Sequence, residues 1–154
     1  KKPYTMSLET TIMAQMKDAM KAKDEVALRT LRAIKAAILL AKTSEGASGE
    51  LTEADELKLL QKLAKQRKDS LDIFRAQNRE DLAKKEEEEL EVIGRFLPAQ
   101  LEGEALMAAL KAIIAETGAT GPADMGKVMG AATKKLAGQA DGKAISAMVK
   151  QLLG

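Results

Sequence analysis

The fold class is decided by residues 24–41, which read DEVALRTLRAIKAAILLA. Asp24 belongs to the residue types that cap helix N-termini through a side-chain oxygen. Inward-facing positions then recur at steps of three and four residues, at Leu28, Leu31, Ile34 or Lys35, and Ile38. This spacing is that of one face of an α-helix. The stretch therefore predicts an amphipathic helix, and its many alanines would let a neighbouring helix pack closely.

Helical spacing continues on both sides of this stretch and predicts four helices before Pro98. Their expected N-caps are Ser7, Asp24, Thr52 (with Asp55 at the capping-box position) and Asn78. The apolar stripes are Leu8, Ile12, Met16 and Met20 in the first helix, Leu57, Leu60, Ala64, Leu71 and Phe74 in the third, and Leu82, Leu90 and Ile93 in the fourth. Residues 46–49 predict a loop between the second and third helices because they are small and glycine-rich.

Pro98 predicts a domain boundary, since the residue before a proline avoids the helical region. Three shorter helices follow it, with apolar stripes at Leu106, Leu110, Ile113 and Ile114, at Met125, Val128, Met129, Ala132 and Leu136, and at Ile145, Met148, Val149 and Leu152. Gly118, Gly121 and Pro122 separate the first two, Gly138 closes the second, and Asp141 caps the third. The prediction is an all-α protein with a four-helix domain at residues 6–97 and a three-helix domain at residues 99–154.

The chain contains no histidine and no cysteine. This excludes Ser-His-Asp and Cys-His catalytic units, zinc and iron–sulfur centres, and disulfides. Any catalysis would depend on carboxylates, lysines, Tyr4 or a hard cation. We therefore predict no catalytic residue, no metal site and no cofactor, and a binding role is favoured over an enzymatic one.

Net charge and hydropathy do not identify a partner. The net charge is +2, from 25 basic and 23 acidic residues, which is too balanced to indicate nucleic-acid binding by itself. No apolar run approaches the about 20 residues of a membrane span, and no secretory signal is visible. A cytoplasmic location is expected. Met6 resembles a natural start, and residues 1–5 are left out of the fold argument.

Two charged segments have an ordinary explanation beside a functional one. The acidic residues 86–89 with Glu91 suggest a cation site, but neighbouring residues of a helix point in different directions, and Lys84, Lys85 and Arg95 are close enough to pair with them. A basic set in the third helix has the spacing to follow a phosphate backbone, but nearby acidic residues favour a solvated face: Lys58, Lys62, Lys65, Arg67 and Lys68.

The segment from Gly126 to Lys143 is the strongest candidate site. It is neither a P-loop nor a dinucleotide-binding fingerprint, because the spacing differs and no strand precedes it. Its glycines bracket lysines at the end of one helix and the start of the next, so backbone N–H groups and lysines are available for phosphates. Tight helix–turn–helix packing is the alternative explanation of these glycines. The eight methionines mostly fall on apolar stripes and are expected to fill the core.

Several blocks of this sequence, in order, resemble the GatB/YqeY family. They are ALRTLRAIKAAI at residues 27–38, RKDSLDIF at residues 67–74, NREDLA at residues 78–83, EEEEL at residues 86–90 and FLPAQL at residues 96–101. The blocks DMGKVM at residues 124–129 and GQADGK at residues 138–143 resemble the tail module that the family shares with the GatB subunit of tRNA-dependent amidotransferases. The resemblance runs from about residue 6 to residue 153.

The resemblance implies a stand-alone YqeY-like protein with two helical domains and an association with carbon–nitrogen ligases that use glutamine as amido-N-donor. It supplies no catalytic residue, so we expect an accessory protein that is not catalytic by itself. In the amidotransferase, the related tail domain helps to bind tRNA. Carried over by position, the nucleic-acid-binding residues are Lys127, Lys134, Lys135 and Lys143, with Gly138 and Gly142 allowing close approach.

The predicted partners are tRNA and an amidotransferase or aminoacyl-tRNA-related protein, with no membrane, and the protein is expected to be a monomer. A second hypothesis is a protein-interaction module with an enzyme or a component of the translation apparatus as partner, which requires an exposed apolar groove lined by Met125 and Met129. A third is a ligase or amidase that acts through carboxylates and lysines.

Overall fold

The computed structural model describes residues 7–44 and 49–154. Within these ranges the protein contains seven α-helices, one 3₁₀ helix at Pro122–Asp124 and no β-strand, which confirms the all-α prediction. The α-helices are α1 (Leu8–Ala22), α2 (Glu25–Thr43), α3 (Glu53–Ala76), α4 (Glu80–Gly94), α5 (Gly103–Thr117), α6 (Met125–Lys135) and α7 (Gly142–Leu153). The predicted start at Met6 and residues 46–48 of the predicted loop lie outside the described residues.

The described chain divides into two compact units. The first ends at Pro98, and the second, called the tail unit below, is Ala99–Gly154. Each unit has its own hydrophobic core. The core of the first unit is formed by Leu8, Ile12, Ala19, Ala27, Leu31, Ile34, Ile38, Leu60, Val92, Ile93, Phe96 and Leu97. The core of the tail unit is formed by Leu106, Leu110, Ile113, Val128, Ala132, Leu136, Ile145 and Val149.

Four of the five predicted N-caps form as expected. The Ser7 hydroxyl accepts from the Thr10 amide at 3.3 Å, the Asp24 carboxylate from Ala27 at 3.1 Å, and the Asp141 carboxylate from Ala144 at 2.7 Å. Thr52 and Asp55 form the predicted capping box, in which each side chain accepts from the other residue's backbone N–H at 3.1 and 3.0 Å. These bonds satisfy N–H groups that a helix leaves without a partner in its first turn.

The prediction that Asn78 caps α4 is wrong. Asn78 has a left-handed backbone with φ +57°, and the N-cap position belongs to Arg79, whose side chain makes no capping bond. The Asn78 amide donates to the Arg75 carbonyl at 3.1 Å, and the Arg79 amide donates to the Phe74 carbonyl at 2.8 Å. This pair of bonds is a Schellman motif, so Asn78 ends α3. Asparagine suits both roles, because its side-chain oxygen can cap a helix N-terminus and its backbone tolerates the left-handed region that ends a helix.

The predicted stripe of α1 is correct at Leu8 and Ile12 and wrong at Met20. Ala19 is buried, whereas Met20 is 57% exposed. Steps of four residues advance by about 400°, so a stripe drawn only from such steps drifts around the helix over three of them. The side chain that reaches the core at the end of α1 is therefore one residue earlier than the spacing suggested.

Glu56 is buried in the first turn of α3, with 4% of its surface exposed. Its carboxylate accepts a hydrogen bond from the Leu8 amide at the N-terminus of α1, at 3.1 Å. A carboxylate is favoured at that place because the amides at a helix N-terminus carry a partial positive charge. Glu56 thereby connects two helices that are far apart in the sequence.

Candidate nucleic-acid interface

Lys127 and Lys134 share one side of α6. They are seven residues apart, which is close to two helical turns, and both side chains are exposed. The fully buried residues of α6, Val128 and Ala132, lie on the opposite side of the helix from Lys134. The amphipathic pattern of α6 thus directs these two lysines to solvent.

Lys143 lies in the first turn of α7 and is also exposed. The start of α7 is fixed by Asp141, whose carboxylate accepts from the Ala144 amide. Gly142 is the first residue of α7, and a Cβ added there would meet no atom within 4 Å. The space beside Gly142 is therefore open, and its role in letting a ligand approach closely stays a prediction.

Lys135 and Gly138 differ from the other predicted site residues. Lys135 is exposed, but its ammonium group forms an ion pair and hydrogen bond with the Glu116 carboxylate of α5. Gly138 is buried, has φ +79°, and its carbonyl oxygen accepts from Gln100 Nε2 at 2.6 Å. The structure thus gives Gly138 a role in the turn between α6 and α7, which is the packing alternative considered for these glycines.

The carboxylates near these lysines are occupied by local hydrogen bonds. Asp124 accepts from the Thr120 amide at 2.9 Å, and this bond, more than any other influence, lowers the pKa of Asp124 below its ordinary value, with a further contribution from the positive charge of Lys127. Among the described residues, no ion pair joins Lys127, Lys134 or Lys143 to a carboxylate. These three ammonium groups are therefore available for an anionic ligand.

The acidic residues of α4 form ion pairs with arginines. Glu91 pairs with Arg95 at 3.4 Å, as expected, and Glu87 pairs with Arg75 at 2.6 Å. Within residues 7–44 and 49–154, no group of three or more acidic side chains is arranged to hold a metal ion. No helix in the same ranges is both long and apolar enough to span a membrane.

Sequence reasoning missed the contacts of Glu89. Its two carboxylate oxygens accept from Arg29 Nε of α2 at 3.2 Å and from Arg67 Nε of α3 at 3.3 Å. The Glu89 side chain is only 12% exposed, so the carboxylate of this Arg29–Glu89–Arg67 cluster is largely removed from solvent. Arg67, which the sequence grouped with the surface lysines of α3, is part of it. No local pattern marks three residues on three different helices.

The methionines do not all fill the core. Met13 of α1 is 52% exposed, and Met20 is similarly exposed. Met125 and Met129 are half-buried and pack against the core of the tail unit. The exposed thioether side chains are thus on α1, and not at the positions that the protein-interaction hypothesis named.

Comparison with known proteins identifies the family. A family model described as Yqey-like protein matches residues 9–153. A relative from Pyrenophora tritici-repentis, named altered inheritance of mitochondria protein 41, mitochondrial, is 32% identical over 145 residues, covering 93% of this chain and 79% of its own. A protein of the same name from Clavispora lusitaniae is 36% identical over 95 residues, covering 62% of this chain and 54% of its own.

The family match spans both units of the chain, and it agrees with the resemblance seen in the sequence blocks. The fungal relatives carry a name that refers to mitochondrial inheritance and states no binding partner or reaction. This chain belongs to the YqeY-like protein family.

Proposed function

We propose that the protein is a tRNA-binding accessory factor that uses its tail unit and does not catalyse a reaction by itself. The supporting observation is that three of the predicted site lysines, Lys127, Lys134 and Lys143, are exposed and form no ion pair with a described carboxylate. The resemblance of the surrounding sequence to the GatB tail indicates tRNA as the class of ligand. Lys135 and Gly138 contribute less to the proposed tRNA-binding surface, because Lys135 pairs with Glu116 and Gly138 is buried.

The chemistry of this surface favours recognition of the RNA backbone. The tail unit contains no aromatic residue on which a base would stack, so single-stranded recognition by stacking is not available to it. Lysines at helix ends contact phosphates without reading sequence. Recognition by shape and phosphate position is the mode that folded RNA permits. With about three phosphate contacts, the binding would be weak and strongly dependent on salt.

The test is a fluorescence titration of labelled total tRNA with the full chain at low salt. A Lys127→Ala/Lys134→Ala/Lys143→Ala variant should bind at least about tenfold more weakly, because a surface that neutralises fewer phosphates releases fewer counterions from the RNA. The matched control is Lys58→Ala/Lys62→Ala/Lys68→Ala, which removes the same charge from exposed positions of α3. This control variant should bind tRNA almost as tightly as the wild-type chain.

The proposal would be wrong if the wild-type chain did not bind tRNA at low salt. It would also be wrong if both triple variants bound equally weakly, since the effect would then reflect net charge and not a site. Circular dichroism of each variant at the titration temperature shows that the helices are intact. All six lysines are exposed, so the fold should not depend on them.

The link to glutamine-dependent amidotransferases is part of the same proposal. An accessory factor of this kind would hold tRNA while an amidotransferase or aminoacyl-tRNA-related protein carries out the chemistry. Co-purification with such an enzyme that disappears on nuclease treatment would support a shared tRNA as the connection. The monomeric state and the cytoplasmic location remain predictions, and the names of the fungal relatives associate those proteins with mitochondria.

A further inference from the structure

A shallow groove of about 400 Å³ lies along α1 in the first unit. It is lined by Met13, Ala14, Met16, Lys17 and Met20 of α1 and by Lys35 of α2. Met13 and Met20 are among the most exposed large apolar side chains that the structure describes. Exposing large apolar side chains to water is unfavourable, so a partner that covered both methionines would gain from their burial.

The lining has the chemistry of a helix-binding groove. Met13, Met16 and Met20 are spaced by three and four residues, so their side chains follow one edge of α1. Methionine has an unbranched, polarizable side chain that adapts to different apolar partners. An amphipathic helix that lays its apolar face into such a groove is an established mode of protein recognition.

The charge of the groove determines which helix fits. Lys17 is four residues after Met13 and three before Met20, so it shares their side of α1 and lines the groove with them. Lys35 contributes a second positive charge from α2. Among the described residues neither lysine forms an ion pair. Of the two acidic residues of α1, Asp18 is about 160° around the helix from Met20, and Glu9, four residues before Met13, pairs with Lys42 of α2 at 2.6 Å.

We propose that this groove binds an amphipathic helix of a partner protein, with the apolar face of that helix on Met13, Met16 and Met20 and its acidic flanks at Lys17 and Lys35. An acidic partner is favoured because a basic one would place like charges together at the rim. This surface belongs to the first unit, whereas the lysines proposed to bind tRNA belong to the tail unit. The protein would then connect its tRNA-binding unit to a protein partner through a different helix.

The experiment is an NMR titration of the full chain labelled at its methionine methyl groups. The probe is a helical peptide of about 16 residues with leucines at i, i+3, i+4 and i+7 and glutamates on both flanks. We expect the methyl signals of Met13, Met16 and Met20 to shift on titration. The signals of Met125, Met129 and Met148 in the tail unit serve as internal references and should stay in place.

Two variants and one control peptide make the test specific. Met13→Gln/Met20→Gln should weaken binding of the acidic peptide by about tenfold, because two apolar side chains no longer pack against it. Lys17→Glu/Lys35→Glu should reverse the preference, so that the same peptide with lysines in place of its glutamates binds better. The substituted side chains line an open groove and lie outside the buried core, so thermal stability should not change.

Several results would overturn the proposal. They are no shift with the acidic peptide, equal binding of the acidic and basic peptides, and shifts centred on the tail unit. Methionine shifts that appear only with increasing protein concentration would assign the groove to a second copy of the chain. Groove-dependent flotation with phosphatidylglycerol vesicles would assign it to a lipid surface. Binding of tRNA by the Met13→Gln/Met20→Gln variant should stay at the wild-type level, so the two proposals can fail separately.

Discussion

Gln100 donates a hydrogen bond from its Nε2 to the carbonyl oxygen of Gly138 at 2.6 Å. The next residue, Leu101, donates its backbone N–H to the Gln139 carbonyl at 2.8 Å. The chain that enters the tail unit is thereby attached to the turn between α6 and α7. The two bonds satisfy polar groups in a turn whose central glycine is buried, where an unpaired carbonyl would be unfavourable.

The first prediction concerns the backbone of that turn. Gly138→Ala should lower the free energy of unfolding by about 1 kcal/mol or more, because φ is +79° and a Cβ is strained in the left-handed region. Gly130→Ala, the matched control, replaces an exposed glycine inside α6 with open space around it. Gly130→Ala should raise the free energy of unfolding by up to about 1 kcal/mol, because alanine is the better helix former. Urea unfolding measures both, and equal effects in the same direction would contradict the prediction.

The correct predictions about the fold depend on residues close together in the sequence, and the incorrect ones depend on residues farther apart. The caps at Asp24 and Thr52 were predictable because each depends on residues three positions apart. Asn78 was assigned to the wrong helix because asparagine suits both ends, and the bonds that decide come from the end of α3. The Gly138 carbonyl accepts its hydrogen bond from Gln100, which is 38 residues away, and no local pattern reports such a contact.

The candidate site shows the same division. The exposure of Lys127 and Lys134 follows from the amphipathic pattern of α6, which the sequence contains. The pairing of Lys135 with Glu116 requires α5 and α6 to be packed against each other. The position of Arg67 beside Glu89 likewise depends on the packing of α3 against α4. Sequence patterns therefore predicted which charged residues of α6 are exposed. Tertiary packing decided which of these charges form ion pairs.

The second prediction concerns the Arg29–Glu89–Arg67 cluster. Glu89→Gln should lower the free energy of unfolding by about 2 kcal/mol, because two arginines lose a largely buried charged acceptor. The value is below the about 3 to 5 kcal/mol of a fully buried pair, since the Arg29 side chain is 38% exposed and partly screened by solvent. Chemical denaturation of the full chain gives the measurement.

Glu91→Gln provides the control for the Glu89 prediction. Glu91 is on the same helix and pairs with Arg95, but its side chain is 76% exposed. Removing this pair should change the free energy of unfolding by less than about 0.5 kcal/mol. If Glu89→Gln were as mild as Glu91→Gln, the burial of the cluster would have no energetic consequence in solution.

The third prediction concerns pH and Asp55. The hydrogen bonds from the backbone N–H and then the side chain of Thr52 lower the pKa of Asp55 below its ordinary value. A carboxyl group with a lowered pKa in the folded protein stabilises the fold above its ordinary pKa, and this stabilisation is lost as the pH falls through the lowered value. Asp55→Asn should therefore be destabilising near neutral pH, and its difference from wild type should shrink in acid.

Thermal unfolding at a series of pH values measures this difference. Asp72→Asn removes the same charge from an exposed position of the same helix, outside its capping box, and is the control. We expect the stability difference between wild type and Asp72→Asn to vary less with pH. If the stability difference between wild type and Asp55→Asn stayed constant at every pH down to the most acidic one measured, the capping box would not depend on the charge of Asp55.

The fourth prediction concerns the salt dependence of tRNA binding. If Lys127, Lys134 and Lys143 each contact one phosphate, the slope of log affinity against log salt should be about −2 to −3. Each single lysine-to-alanine substitution should make the slope about 0.7 to 0.9 less negative, because one fewer counterion is released. Lys135→Ala should alter the slope less, since the Lys135 ammonium group already pairs with Glu116. An equal change for all four lysines would show that the ion pair opens on binding and that the phosphate-binding surface extends to Lys135.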